Sequence, residues 1–206
     1  KNFKTDKTGL LITFDDGLSD HYTASKILSE FGIQGVFFIP TCIVDENLPA
    51  NPTIIHYAIA KFGIQKFLNV YNQFINEYMP NSSDYQIKFD GKKKSIKKTM
   101  FEIKNKFKYD LNYIDSRKIL LHIFDVLLLK NSSNIMDIMH LKKSQIIKMK
   151  QSGHAFGTHT HTHISVSPTQ LTDQQKKLEL MDPKTILEKT INDSVTSFSY
   201  PFGGEV

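Results

Sequence analysis

Cys42 is the only cysteine among 206 residues, so the chain forms no internal disulfide and no multi-cysteine metal site. One thiol leaves the compartment open. No apolar stretch approaches the roughly 18 residues that a membrane helix needs, and no basic-then-apolar leader precedes Leu10. The chain starts at Lys1 and not at Met, so a removed leader or anchor is compatible with it. Internal repeats and low-complexity linkers are absent as well.

What is present suits a globular fold. Hydrophobic residues make up 40% and charged residues 23%, enough to bury a real core in one domain or in one domain with an insertion. The net charge of +5 would suit an acidic partner, but the lysines are interleaved with acids over helix-like stretches. A basic stripe with stacking aromatics is missing, so nucleic acid is not the expected partner. The densest run, Lys92-Lys93-Lys94 with Lys97 and Lys98, reads as the solvated start of a helix.

Gly9 to Phe14 is a short β-branched and aromatic run ending at Asp15-Asp16-Gly17, which predicts a buried strand with acids at its C-terminal end. A helix over His21 to Phe31 and a strand over Val36 to Pro40 complete a β-α-β unit with parallel strands. From Leu48 to Met139 the spacing turns helical, with helices expected over 53–62, 64–79, 95–107 and 114–129. Phe67, Tyr71, Phe74 and Tyr78 in this stretch read as core rather than as a ligand site. The β/α rhythm then returns: a helix over 142–151, a strand over 154–158, a capping box at Thr172 and Gln175 opening a helix that Pro183 interrupts or restarts, and a strand over 195–200.

The chemistry lies at the strand ends. Thr13-Phe14-Asp15-Asp16-Gly17 and His159-Thr160-His161-Thr162-His163 together read as a metal hydrolase site. A borderline cation such as Zn²⁺ takes Asp oxygen and His nitrogen, and a catalytic site keeps a position open for water. Of two adjacent aspartates, one can ligate while the other accepts a proton. By itself Asp-Asp-Gly is equally a simple turn. Extended backbone would put His159, His161 and His163 on one face, whereas a helical turn would bring His159 and His163 together and point His161 away. His21, His56, His122, His140 and His154 read as non-ligands.

These two motifs, with Ser199-Tyr200-Pro201-Phe202-Gly203, resemble the three motifs of the polysaccharide deacetylases of carbohydrate esterase family four, in the same order. The resemblance covers about 10–39 and 141–203 and leaves the helical stretch outside it. It implies an α/β fold, an irregular (β/α) barrel interrupted by a helical insertion at 48–139 of the 1–206 catalytic domain. It also implies Asp16, His159 and His163 as ligands of a divalent metal, most often zinc. Asp15 would be the general base, and the backbone N–H of Phe202 would help hold the oxyanion. The implied reaction removes N-acetyl groups from an acetamido sugar of a surface polysaccharide or its precursor, so the expected partner is a carbohydrate. Relatives that deformylate, open small amides or only bind carbohydrate define the alternatives.

Two departures stand out. Ser199 occupies the place where many members carry an Arg that contacts the base. The later Asp/Trp and Leu-x-His motifs are not found before Val206, so truncation at the C-terminus is expected. An insertion that follows the strand ending near Ile39 is expected to emerge on the catalytic face.

Overall fold

The structure is a computed structural model, and it describes residues 9–79, 83–166 and 170–203. Strands β1 (Ile12–Phe14), β2 (Gly35–Ile39) and β3 (Ala155–Thr158) lie side by side in that order, all parallel. Helix α1 (His21–Glu30) makes the crossover from β1 to β2, as the β-α-β reading requires. The pairing aligns Phe14 with Phe37 and Ile39 with Thr158, so the strands finish at nearly one level and deliver their following turns to the same end of the sheet. Phe14 stacks on Phe37 with ring centroids 4.8 Å apart. At Gly157 a Cβ would sit 2.5 Å from the Phe38 ring, so no larger residue fits between these strands.

Two strand expectations need correction. Leu10 and Leu11 are 89% and 70% exposed, and pairing begins only at Ile12. The stretch 195–200 is not a full strand: it meets the sheet at a single parallel bridge, Phe198 to Thr158, through Thr158 N to Ser197 O and Ser199 N to Thr158 O. Pro201 follows three residues on, where it offers no N–H to extend a ladder. Three parallel strands are therefore what the described residues show of the expected barrel.

The remaining elements are helical. A short α2 (Cys42–Asp45) follows β2, then α3 (Asn51–Phe62), α4 (Ile64–Tyr78), α5 (Ile96–Asn105), α6 (Tyr113–Ile123), α7 (Ile135–Met139), α8 (Lys143–Gln151), α9 (Asp173–Lys176) and α10 (Asp182–Ile191). Local chemistry sets their ends. Pro52 lies in the first turn of α3, and Gly63, at φ 80°, separates α3 from α4. The Asn112 side chain caps α6 through Asp115 N, and Thr172 with Gln175 forms the expected capping box on α9. Pro183 sits at the start of α10 and restarts the helix there. Helices α5, α6 and α9 each run on into a π-helical turn, at Lys106–Asp110, Phe124–Leu128 and Lys177–Met181. Such turns re-aim side chains and are frequent at functional sites.

Burial divides into two clusters. One gathers residues between Ile54 and Met139, with Phe67 and Tyr71 wholly inside it. Tyr71 satisfies its hydroxyl on Tyr85 O at 2.7 Å, while Tyr78 is 65% exposed at the helix end. The other collects Phe37, Ile39, Cys42, Ile146, Phe156 and Leu187 around the sheet. His140, 1% exposed, joins them: Ala50 N–H donates to Nε2, Thr53 Oγ1 lies 2.9 Å from the same nitrogen, and Nδ1 faces Gly17 O at 3.3 Å.

Candidate metal centre

Asp16 holds φ 75°, a left-handed conformation that costs a non-glycine residue free energy. The surroundings impose it. Leu141 N–H donates to Gly17 O at 2.9 Å, and Ser19 Oγ donates to Ile138 O at 2.7 Å, so the turn is tied to the segment entering α8. Gly17 follows at φ 59°, and a Cβ there would meet Ile43 Cδ1 at 2.7 Å. Only glycine serves both demands.

The histidine segment leaves β3 and turns sharply, with Thr160 at φ 59° and His163 at φ 64°. Neither a strand nor a helix describes it. His159 N–H donates to Ile39 O, while Thr160 O, His161 O and Thr162 O accept from Thr41, Cys42 and Asn51 N–H at 3.2, 3.0 and 3.0 Å. Thr160 Oγ1 accepts from His163 N at 3.0 Å and closes the turn on itself. Beneath it lies Glu179, fully buried. One of its oxygens accepts from His161 N and Thr162 N, both at 2.9 Å; the other accepts from Thr162 Oγ1 at 2.7 Å and Tyr113 Oη at 2.8 Å. Four donors give a buried carboxylate the partners that its desolvation demands.

These turns bring Asp16, His159 and His163 together, each offering a ligand atom within 4.8 Å of the others. Asp16 Oδ1 lies 2.9 Å from His163 Nε2 and 3.4 Å from His159 Nε2. His159 Nδ1 is 2.8 Å from Ser199 O, and a carbonyl only accepts, so Nδ1 carries the proton and Nε2 turns its lone pair toward the carboxylate. A ring lone pair and a carboxylate so arranged can hold a cation between them. Burial would raise the Asp16 carboxyl, but with the imidazoles of His159 and His163 as donors their hydrogen bonds and charge outweigh it and hold the group well below the usual carboxylate range, the same demand for positive charge that a cation would meet. One carboxylate and two imidazoles, with a side left open, suit a divalent metal of zinc character.

The structure separates the other candidates. His161 is buried and points elsewhere, its Nδ1 2.9 Å from Thr41 Oγ1 and its Nε2 3.3 Å from Glu46 Oε1. Asp15 meets Ser199, whose Oγ donates to Oδ2 at 3.2 Å. Phe202 follows Pro201 at φ 65°, its ring 4.8 Å from that of His163.

The model of the polysaccharide deacetylase family matches residues 92–205, more than half of the chain. The chain belongs to the polysaccharide deacetylase family. The matched part holds the histidine segment and the Pro201 turn, while Asp15 and Asp16 lie before it. Among solved structures, this family member is similar to the Streptococcus pyogenes deacetylase PplD in complex with acetate, at 16% identity and a TM-score of 0.46 over 95% of this chain and 47% of that one. It is likewise similar to IcaB from Ammonifex degensii, at 15% identity and 0.43 over 95% and 51%. The chain spans about half the length of either. Among curated proteins none matches.

Two residues of this deacetylase-family site escaped the sequence reading. Ser199, a departure from the family pattern, touches Asp15 with its hydroxyl and His159 with its carbonyl. Glu179 had a signal: with Pro183, Leu187 and Thr190 it falls at i, i+4, i+8 and i+11 on the buried face, where an apolar residue is expected. A carboxylate in that place needs donors, and the histidine segment supplies them.

Proposed function

We propose that this deacetylase-family chain is a metal-dependent N-deacetylase acting on an acetamido sugar of a surface polysaccharide or its precursor. The observation that carries the reading is the convergence of Asp16, His159 and His163, with Asp15 beside them held by Ser199. Asp16 Oδ1 and the two Nε2 atoms would hold the metal, with zinc the best match to one oxygen and two imidazoles. When bound, such a cation supplies Lewis acidity toward a water and toward an amide carbonyl.

The protein's own groups do the rest. Asp15 is the general base, and the Ser199 hydroxyl fixes its orientation in the place where many relatives carry an Arg. The Ser199 carbonyl holds the His159 tautomer. The Phe202 N–H, on left-handed backbone after Pro201, serves as a donor where negative charge develops on the acetyl oxygen. Glu179 fixes the backbone between the two metal-facing histidines. We read the layout as an irregular (β/α) barrel domain over 1–206, interrupted by the helical insertion 48–139. The insertion narrows the approach on the side of His163, favouring chain ends, short oligosaccharides or lipid-linked sugars.

Metal analysis of the full-length protein, with acetate release measured over N-acetylated glycans of increasing length, tests this. Zinc near one equivalent and release from short or terminal sugars is the expected result. Metal-independent release, or no release from any acetamido sugar, would overturn it. Formate release from an N-formyl sugar in place of acetate would move the reaction to deformylation.

A further inference from the structure

Beside the metal-facing residues lies a cavity of about 320 Å³, and His163 forms part of its wall. Most of its other walls come from the insertion, chiefly α3, α5 and the π-helical turn Lys106–Asp110, with Ile164 and Phe202 completing them. Its charge is one-sided. Lys104 and Lys108 line it, and none of its lining residues is an Asp or Glu. Among the described ion pairs neither Lys104 nor Lys108 has a carboxylate partner, although nearby Lys106 is paired with Asp110 at 2.8 Å. Lys108 Nζ sits over the Tyr109 and Phe202 rings, 4.9 and 5.1 Å from their centroids. Those rings are themselves about half exposed.

We propose that this cavity is a subsite for a phosphoryl group carried by the acetamido sugar, with Lys104 and Lys108 meeting the phosphoryl oxygens and Phe202 and Tyr109 flanking the sugar. The inference rests on the deacetylase reading of the adjoining site and narrows its substrate to phosphorylated acetamido sugars. Position carries the argument. Two ammonium groups without a carboxylate partner, four residues apart in a concave site that has His163 in its wall, concentrate positive potential beside the metal-facing residues. An ammonium acts as a point charge and can meet phosphoryl oxygens without the fixed geometry of a guanidinium fork. The cavity is also small, at the lower end of the roughly 300–1,000 Å³ usual for ligand pockets, which suits one sugar with a substituent better than a polymer segment.

The test uses the zinc-loaded full-length protein and titration calorimetry. The probes are N-acetylglucosamine, N-acetylglucosamine 1-phosphate, N-acetylmuramic acid and a short-chain polyprenyl diphospho-N-acetylglucosamine in detergent. The phosphorylated sugars are expected to bind on the order of tenfold tighter than N-acetylglucosamine, with an advantage that shrinks as salt rises. Lys104→Gln/Lys108→Gln should abolish the advantage, and Lys104→Arg/Lys108→Arg should keep most of it. Tighter binding of the 1-phosphate alone would assign a soluble sugar phosphate, and tighter binding of the polyprenyl probe a lipid carrier. An advantage that survives in the double Gln variant would place the phosphate on the metal and overturn the subsite. Preference for N-acetylmuramic acid over the 1-phosphate would overturn it too. Acetate release from neutral chito-oligosaccharides with no lysine-dependent preference sinks the subsite and leaves the deacetylase reading intact. Lysine-dependent binding with no acetate release from any probe does the reverse.

Discussion

The Ser199 hydroxyl donates to Asp15 Oδ2 at 3.2 Å, joining residues 184 positions apart. Through its carbonyl the same residue orients His159. A small side chain thus stands where an Arg is common, and it offers Asp15 a neutral donor in place of a cation.

Ser199→Ala removes the hydroxyl and keeps the carbonyl. Bound zinc should therefore be unchanged while kcat falls on the order of tenfold, the worth of one neutral hydrogen bond to the base. Ser199→Thr should recover most of the loss. Loss of zinc in the Ala variant would show that the residue acts on His159 alone.

Asp15→Asn keeps the shape of the turn and removes the proposed proton acceptor. Zinc content should stay near that of the parent, and kcat should fall by about 10²–10⁴, the usual range for a general base. Activity close to the parent's would take Asp15 out of the reaction.

His159→Ala and His163→Ala should each lose zinc on dialysis, whereas His161→Ala should retain most of it. The reason is the turn at Thr160, which directs His161 to Thr41 and Glu46. Equal loss in all three variants would favour ligation by three histidines.

Glu179→Ala strips four donors, three of them buried, of their acceptor. Unfolding free energy should drop by about 3 kcal/mol or more, and zinc affinity should fall because the backbone between the histidines loosens. Thermal melts with and without zinc read both effects. Glu179→Gln should lose less. A melt equal to the parent's for the Ala variant would contradict the clamp.

His140 gives the fold a pH dependence. Burial, opposed only in part by the hydrogen bond to Gly17 O, lowers its pKa from the usual 6.5 to about 4. The unfolded chain therefore binds the proton more readily between those values. Stability from keeping His140 neutral is fully present above about pH 6.5 and is lost as pH falls toward 4, on the order of 3 kcal/mol in all. Urea unfolding at pH 7 and pH 5 should show the decline, with a shallower slope in His140→Gln. A slope equal to the parent's would assign the decline to other groups.

The order of elements was largely legible in the sequence because its cues are local. The helical periodicity over 53–79, the Gly63 break, the Thr172–Gln175 box and the Pro183 restart each act within a few residues, and each appears where expected. The candidate site was legible through its residue types, since Asp15-Asp16-Gly17 and the spaced histidines name their chemistry wherever they sit. Strand extent was not. Leu10, Leu11 and the 195–200 stretch have strand-like composition, but pairing depends on a neighbour, and no local cue supplies one.

By itself the sequence determined which groups are available: two adjacent carboxylates, alternate histidines and a Pro-Phe-Gly turn. The tertiary structure decided how they are divided. Left-handed backbone at Asp16, Thr160 and His163, held by Leu141, Glu179 and Thr41, sends Asp16 to two histidines, Asp15 to Ser199 and His161 away. Positive φ in a non-glycine residue is locally unfavourable, so only contacts from distant segments can hold it, and those contacts exist only once the chain has folded.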